Sequence, residues 1–215
     1  MMMKVLVLNG SPHKEGCTAT ALQEVIGVLN QEGIETELIQ IGSSQISGCV
    51  SCGHCLKTAK CVFNNDMVNE VAEKFKAADG LVIGSPVYYS SPNGTLLSFL
   101  DRLFYSTSFS SLGFSKQMKV GCAVVSCRRG GNTATFDALN KYFAISGMPI
   151  ATSTYWNMVH GFNASHVKKD LEGLQTMRNL ARNMAFMIKV IADGKEKYGL
   201  PQVESQYYTN FHDGK

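Results

Sequence analysis

KVLVLNG, Lys4–Gly10, is a short apolar run that ends on a turn signal, the pattern of a strand buried on both faces of a parallel sheet. The period then changes. In TATALQEVIGVLNQEG, residues 18–33, Leu22, Val25, Ile26 and Leu29 recur at helical spacing and Gly33 supplies a stop. A strand, a turn and an amphipathic helix in direct succession make the first half of a βαβ unit.

The unit repeats along the chain. ETELIQI (Glu35–Ile41), GLVIGSPVYY (Gly80–Tyr89), KVGCAVVS (Lys119–Ser126) and PIATSTYW (Pro149–Trp156) read as the second to fifth strands. Helical patterns run from Asp66 to Ala77, over GTLLSFLDRLFY (Gly94–Tyr105), over TATFDALNKYFAISG (Thr133–Gly147) and from Val167 to Asp193. This alternation, with short connections, predicts one doubly wound α/β domain over residues 1–194: a five-stranded parallel sheet between two layers of helices. Residues 195–215, with Tyr198, Tyr207, Tyr208 and Phe211, read as a tail that packs on this domain or on a neighbouring subunit.

Bulk composition excludes several function classes. A chain of 215 residues with 45% hydrophobic and 17% charged residues is ordinary for a globular protein. Its net charge of +3 is scattered, with no basic block of the kind that tracks phosphates, so nucleic-acid binding is not expected. No apolar run approaches the ~20 residues that span a bilayer, so no membrane partner is expected either. The opening MMMKVLVLNGSP runs quickly into a Gly-Ser-Pro turn and does not read as a signal peptide. A cytoplasmic setting follows as an expectation, and there seven cysteines argue against a disulfide framework.

In an open α/β sheet, ligands bind beyond the carboxyl ends of the strands. Three loops at that edge carry unusual chemistry. NGSPHKEGCT (Asn9–Thr18) is neither GxGxxG nor a P-loop. It offers the Ser11 and Thr18 hydroxyls, His13, Lys14 and the N–H groups of a helix N-terminus, a cradle for one terminal phosphate. A plain strand–helix turn with capping hydroxyls would read the same. In GSPVYYSSPNGT (Gly84–Thr95), Pro86 and Pro92 stiffen the chain, Tyr88 and Tyr89 provide planar faces, and Ser90, Ser91 and Asn93 add polar groups. That set suits a planar heterocycle, or else an aromatic-lidded turn. SCRRGGNTATF (Ser126–Phe136) joins Arg128 and Arg129 to two glycines that permit close backbone approach. The arginines suit a phosphate, such as that of a nicotinamide dinucleotide, or are an exposed basic turn.

A fourth segment, SGCVSCGHCLKTAKC (Ser47–Cys61), places Cys49, Cys52, Cys55 and Cys61 in a C-x2-C-x2-C-x5-C run. Two-cluster ferredoxins use C-x2-C-x2-C-x3-C-P, with the fourth cysteine serving the other cluster. Here the fourth lies farther away and Val62 follows it, so one [4Fe–4S] site held by all four thiolates is stereochemically reasonable. Zinc sites pair two knuckles across a long loop, which this compact run lacks. The remaining alternative is a loop of reduced thiols. Cys122 reads as strand core, and Cys17 and Cys127 as small fillers near the strand-end loops.

NGSPHKEGCT, GSPVYYSSPNGTLLSFLDR and GGNTATFDAL together resemble the flavodoxin-like NAD(P)H-dependent FMN reductase family, from Lys4 to about Asp193. The resemblance implies a three-layer flavodoxin-like sandwich with strand order 2-1-3-4-5, and FMN as cofactor. It implies that Ser11, His13, Thr18 and Ala19 hold the FMN phosphate. Pro86, Val87, Tyr88 and Tyr89 would line the isoalloxazine, with Ser126 and Gly131 closing the other side. Ser90, Asn93 and Arg129 complete the cofactor-binding candidates. Family members often carry Arg at the position of His13 and Asn at that of Cys17, so weaker or pH-sensitive FMN binding is expected here.

The cysteine run is similar to that of iron–sulfur flavoproteins, a branch of this fold whose cluster loop also follows the second strand and which passes electrons between a [4Fe–4S] cluster and FMN. The implied activity is electron transfer from NAD(P)H through FMN to a small acceptor such as free flavin or a quinone. The alternative is an iron–sulfur flavoprotein electron carrier with a ferredoxin-like partner; a thiol-based redox sensor is a third reading. No general acid–base residue is expected, because the flavin itself carries the hydride chemistry. Trp156, Met158 and His160, in YWNMVHG, border a substrate pocket or belong to the core. A homodimer or homotetramer is expected, with the apolar Phe104–Phe114 segment, including Tyr105, Phe109 and Leu112, as its interface.

Overall fold

Alternate residues of a strand point to opposite faces of its sheet, and the first strand uses both faces. In β1 (Lys4–Asn9) the side chains of Val5 and Val7 enter one apolar cluster and those of Leu6 and Leu8 another. β1 pairs in parallel with β2 (Glu35–Gln40) on one side and β3 (Gly80–Tyr88) on the other. β3 pairs in parallel with β5 (Val120–Cys127), and β5 with β6 (Met158–His160). Between them a two-residue strand, β4 (Ser91–Pro92), folds back antiparallel on the end of β3. The order β2-β1-β3-β5-β6 is the expected 2-1-3-4-5 arrangement with this short hairpin added. The computed structural model describes residues 2–108, 113–205 and 207.

Helices cover both faces. α1 (Cys17–Gln31) and α7 (Leu171–Tyr198) pack Leu22, Val25, Leu29, Leu180 and Met184 against Val5, Val7, Val82 and Cys122. On the other face α3 (Val68–Ala77), α4 (Gly94–Ser108) and α5 (Asn132–Ile145) contribute Phe75, Phe99, Leu103, Leu139 and Phe143. Two short helices complete the fold: α2 (His54–Thr58) inside the cysteine loop and α6 (Ala164–Val167) before α7.

Three expectations need correction. Pro149–Trp156 is not a continuous fifth strand: only Ile150 bridges to Gly121, and the ladder resumes at Met158. The intervening residues are drawn away by α7, whose Asn183 side chain donates to the Thr152 carbonyl at 2.8 Å, while Ser153 Oγ donates to the Thr176 carbonyl at 2.7 Å. The last helix is also split, because the Asp170 side chain accepts from Gly173 N and starts α7 afresh; it then runs on to Tyr198, where Gly199 at φ 73° ends it. Finally, Phe104 is buried against Phe75 and Tyr142 and Phe114 packs edge-on to Phe75, so these two rings belong to the body rather than to an interface. Phe109 and Leu112 lie outside the described residues, as do Tyr208 and Phe211 of the tail. Within the tail, the Pro201 carbonyl accepts from Gln117 Nε2 at 3.0 Å, whereas Tyr207 is exposed. Among the described residues no helix is long and apolar enough to cross a membrane.

Candidate functional site

Parallel pairing of β1, β3 and β5 brings the three candidate loops to one edge. The first is locked by its own polar groups. Asn9 Oδ1 accepts from Ser11 N at 3.0 Å, Ser11 Oγ accepts from His13 N at 3.1 Å, and Asn9 Nδ2 donates to Gln40 Oε1 at 2.8 Å. A Cβ on Gly42 would lie 2.3 Å from the Gly10 carbonyl oxygen, so the start of the cysteine loop presses directly on this turn. α1 opens at Gly16 with no side-chain cap and no acidic residue in its first turn. Its free N–H groups and positive dipole end therefore remain available to an anion.

The buried hydroxyls of Thr18 and Ser126 meet at 2.8 Å. Ser126 thus stands beside the first loop, although it was expected across the ring site with Gly131. Ala19 is buried just behind Thr18, and His13 and Lys14 are exposed on the rim.

The second loop is a two-residue hairpin turn in which Tyr89 (φ 50°) and Ser90 (φ 58°) both adopt left-handed backbone. Such a turn suits Asn-Gly, and side chains larger than glycine are strained in it. Its effect is to present Tyr89 fully to solvent, beside the half-exposed Tyr88. Pro86 and Val87 are half-buried at the base. Asn93 is not a free polar group: its Oδ1 accepts from Thr95 N at 2.7 Å and caps α4. The third loop closes on the second, since a Cβ on Gly131 (φ 89°) would lie 2.7 Å from Ser90 Cα. Arg128 and Arg129 are exposed beside it. His160 contacts Asn132 Nδ2 through Nε2 at 3.1 Å, and Met158 is buried, while Trp156 lies exposed against Tyr155.

All seven cysteines are free. Burial pushes the Cys122 thiol up to about 12 and raises those of Cys17 and Cys127, so none of these three is an activated nucleophile. The other four are gathered. Cys49, Cys52, Cys55 and Cys61 line one recess together with Val50, Val62, Phe63, Tyr105 and Arg102. Burial raises the Cys55 thiol, and the neighbouring sulfurs of Cys52, Cys61 and Cys49 raise it further. Among the described residues no three His, Cys, Asp or Glu side chains already form a closed ligand set. Cys49 and Cys52 are splayed toward solvent.

The residue that sequence reasoning missed is Arg102. It is 1% exposed, its Nη1 reaches Asp66 Oδ2 at 2.5 Å, and its Nε donates to Cys61 Sγ at 3.1 Å. Burial opposes its charge, but Asp66 and the Cys61 sulfur outweigh that and hold it protonated. The available signal was an arginine at helical spacing from Phe99 and Ser106, on the apolar stripe of α4.

The sequence model of the NADPH-dependent FMN reductase family matches residues 3–163. An iron–sulfur flavoprotein of Methanocaldococcus jannaschii is 34% identical, over 88% of this chain and 99% of that protein. An iron–sulfur flavoprotein of Methanosarcina thermophila is 27% identical, over 91% of this chain and 100% of its own. Among solved structures, RosB with a bound 8-demethyl-8-formylriboflavin-5'-phosphate superposes with a TM-score of 0.68 at 15% identity, covering 99% of this chain and 93% of that one. A flavodoxin from the domain Archaea superposes at 0.58 and 15% identity, covering 87% and 99%. At such identities the structures support the fold alone.

Proposed function

The chain belongs to the NADPH-dependent FMN reductase family of flavodoxin-like oxidoreductases, and from that membership we propose that it is an iron–sulfur flavoprotein: FMN lies across the three strand-end loops, and one [4Fe–4S] cluster is held by Cys49, Cys52, Cys55 and Cys61. The observation that carries this reading is that all four cysteines line one recess, together with apolar groups and one buried cation. A donor set of four sulfurs with no carboxylate or imidazole suits iron–sulfur chemistry, and the guanidinium, paired with Asp66, adds one N–H donor to the Cys61 sulfur. The near full-length relatives named iron–sulfur flavoproteins support the same choice over the reduced-thiol loop.

When bound, the flavin supplies two-electron and one-electron chemistry and the cluster one-electron chemistry. The chain's own residues bind, orient and shield. The N–H groups of α1, the loop around Ser11 and the Thr18–Ser126 hydroxyl pair form the phosphate end, with His13 at its rim. Pro86, Val87, Tyr88 and Tyr89 offer the flat, partly apolar surface for the ring, while Gly131 lets the third loop approach it. Ser90 and Arg129 lie within the same loops; Asn93 contributes by anchoring α4 rather than by direct contact. Val62, Phe63 and Tyr105 form the apolar part of the wall beside the cysteines. The recess meets α4 at Arg102, eight residues or about 12 Å along the helix from the flavin loop.

A second reading makes NADPH the direct reductant of FMN, with a free flavin or a quinone as acceptor. The exposed Arg128–Arg129 pair beside Gly130 and Gly131 favours it, as a site for a dinucleotide phosphate. Anaerobic purification followed by iron and sulfide analysis, a visible spectrum and an NADPH oxidation assay separates the readings. Flavin with iron and slow NADPH oxidation supports the first. Flavin without iron but with rapid NADPH oxidation would overturn it in favour of the second.

A further inference from the structure

Cys61 is held differently from the other three cysteines. Its N–H donates to Asn69 Oδ1 at 2.8 Å and its carbonyl accepts from Asn69 Nδ2 at 3.0 Å, so α3 grips its main chain. α4 delivers Arg102, whose Nε donates to the Cys61 sulfur at 3.1 Å. Cys49, Cys52 and Cys55 instead ride on a segment with left-handed joints at Ser51 (φ 52°) and Gly53 (φ 72°). One thiol is therefore fixed by two helices, while three belong to a loop that folds over it.

Every arm of Arg102 is assigned. Nη1 and Nη2 bind the two Asp66 carboxylate oxygens at 2.5 and 3.2 Å, Nη1 also donates to the Ser47 carbonyl at 3.1 Å, and Nη2 to the Phe63 carbonyl at 3.5 Å. The group lies 4.9 Å above the Phe63 ring. Only Nε is turned to sulfur. A pair serving the fold alone would satisfy Asp66 and the two loop carbonyls without aiming its remaining donor at a thiol.

We propose that Arg102 is a positioning residue of the cysteine site: its Nε–H orients the Cys61 sulfur, and its charge, set against that of Asp66, tunes the reduction potential of the metal group that Cys61 helps to hold. The proposal rests on the reading of the recess as a [4Fe–4S] site. Adding one electron makes the sulfur ligands more negative, which a nearby N–H donor and cation favour and a nearby carboxylate opposes. Removing Arg102 therefore lowers the potential and removing the Asp66 charge raises it. A merely structural loosening of the loop would move both variants the same way.

The test uses the full chain, reconstituted anaerobically with iron and sulfide and titrated with dithionite as electron donor, the midpoint being read from the visible and electron paramagnetic resonance signals. Far-UV circular dichroism checks folding. Arg102→Gln is expected to lower the equilibrium constant for one-electron reduction about tenfold, about 59 mV by the one-electron conversion, and Asp66→Asn to raise it. Should Arg102→Gln fail to fold, Arg102→Lys keeps the charge, loses the Nε donor, and shifts the midpoint downward by less. Iron-loaded variants that leave the potential unmoved, or move it in one common direction, would overturn the proposal while the cluster reading stands. A folded wild-type chain that takes up no iron overturns both, and the iron assay alone reveals which failure occurred.

Discussion

At the ends of β1, β3 and β5 position is set by backbone meeting backbone: a Cβ on Gly42 would sit 2.3 Å from the Gly10 oxygen, and one on Gly131 2.7 Å from Ser90 Cα. Between β2 and α3 position is set by side chains, chiefly Arg102 with Asp66 and Asn69 with Cys61. Close backbone approach persists whatever the ligand state, so the strand-end loops are shaped in advance. On the proposed cluster reading, a loop held by a few side-chain contacts, chiefly from Arg102 and Asn69, would take its final form from what its cysteines bind. In the proposed reading, one edge of the sheet carries a cradle set by backbone contact and a recess that its ligand would complete.

Breaking the ion pair gives the largest effect. Arg102→Met leaves the Asp66 side chain, 7% exposed, without its cation; a loss of about 3–5 kcal/mol is expected in urea unfolding. Adding Asp66→Asn to that variant should restore part of the loss.

A second buried cation, Lys116, sharpens the contrast, because among the described residues it forms no ion pair with a carboxylate. Lys116 donates to Ser108 Oγ at 3.0 Å and lies over Phe114, and burial pushes its pKa down to about 8. Its lowered value makes the charged form a penalty, complete below pH 8 and gone once pH passes the unfolded value of 10.5. Lys116→Met should therefore stabilise the fold at pH 7 by about 2–3 kcal/mol. In denaturant titrations at rising pH that advantage shrinks between pH 8 and 10.5; an advantage constant across this window would refute the assignment.

On the other side of the comparison, Gly131→Ala adds a side chain at φ 89° against Ser90. It should cost about 1–3 kcal/mol and weaken FMN binding by about tenfold while leaving iron content unchanged. Loss of iron together with flavin would show that the two regions are not independent. Asn93→Ala, which removes the α4 cap, is expected to have the smallest effect, about 1 kcal/mol in thermal unfolding.

Much of the cradle was legible in the sequence because its signals are local. An apolar run, a turn and a 3.6-residue period fall within Lys4–Gln31, and Thr18, Tyr89 and Gly131 stand in short motifs that the fold delivers to one edge. Tertiary contacts hid the rest. Pro149–Trp156 has strand composition, yet Asn183 and Thr176 of α7 compete for its polar groups. Thr18 and Ser126 are 108 residues apart and their meeting has no local signature. Arg102 likewise joins residues 36 and 41 positions away, so its partners emerge only when α4 is laid against the loop.

The most direct test of the central claim is the ratio of iron and acid-labile sulfide to FMN in the chain purified and reconstituted without oxygen. The account predicts about four iron and four sulfide for each FMN, with iron lost on replacing Cys61 and flavin retained. A folded, flavin-bearing chain that holds no iron after reconstitution would contradict it.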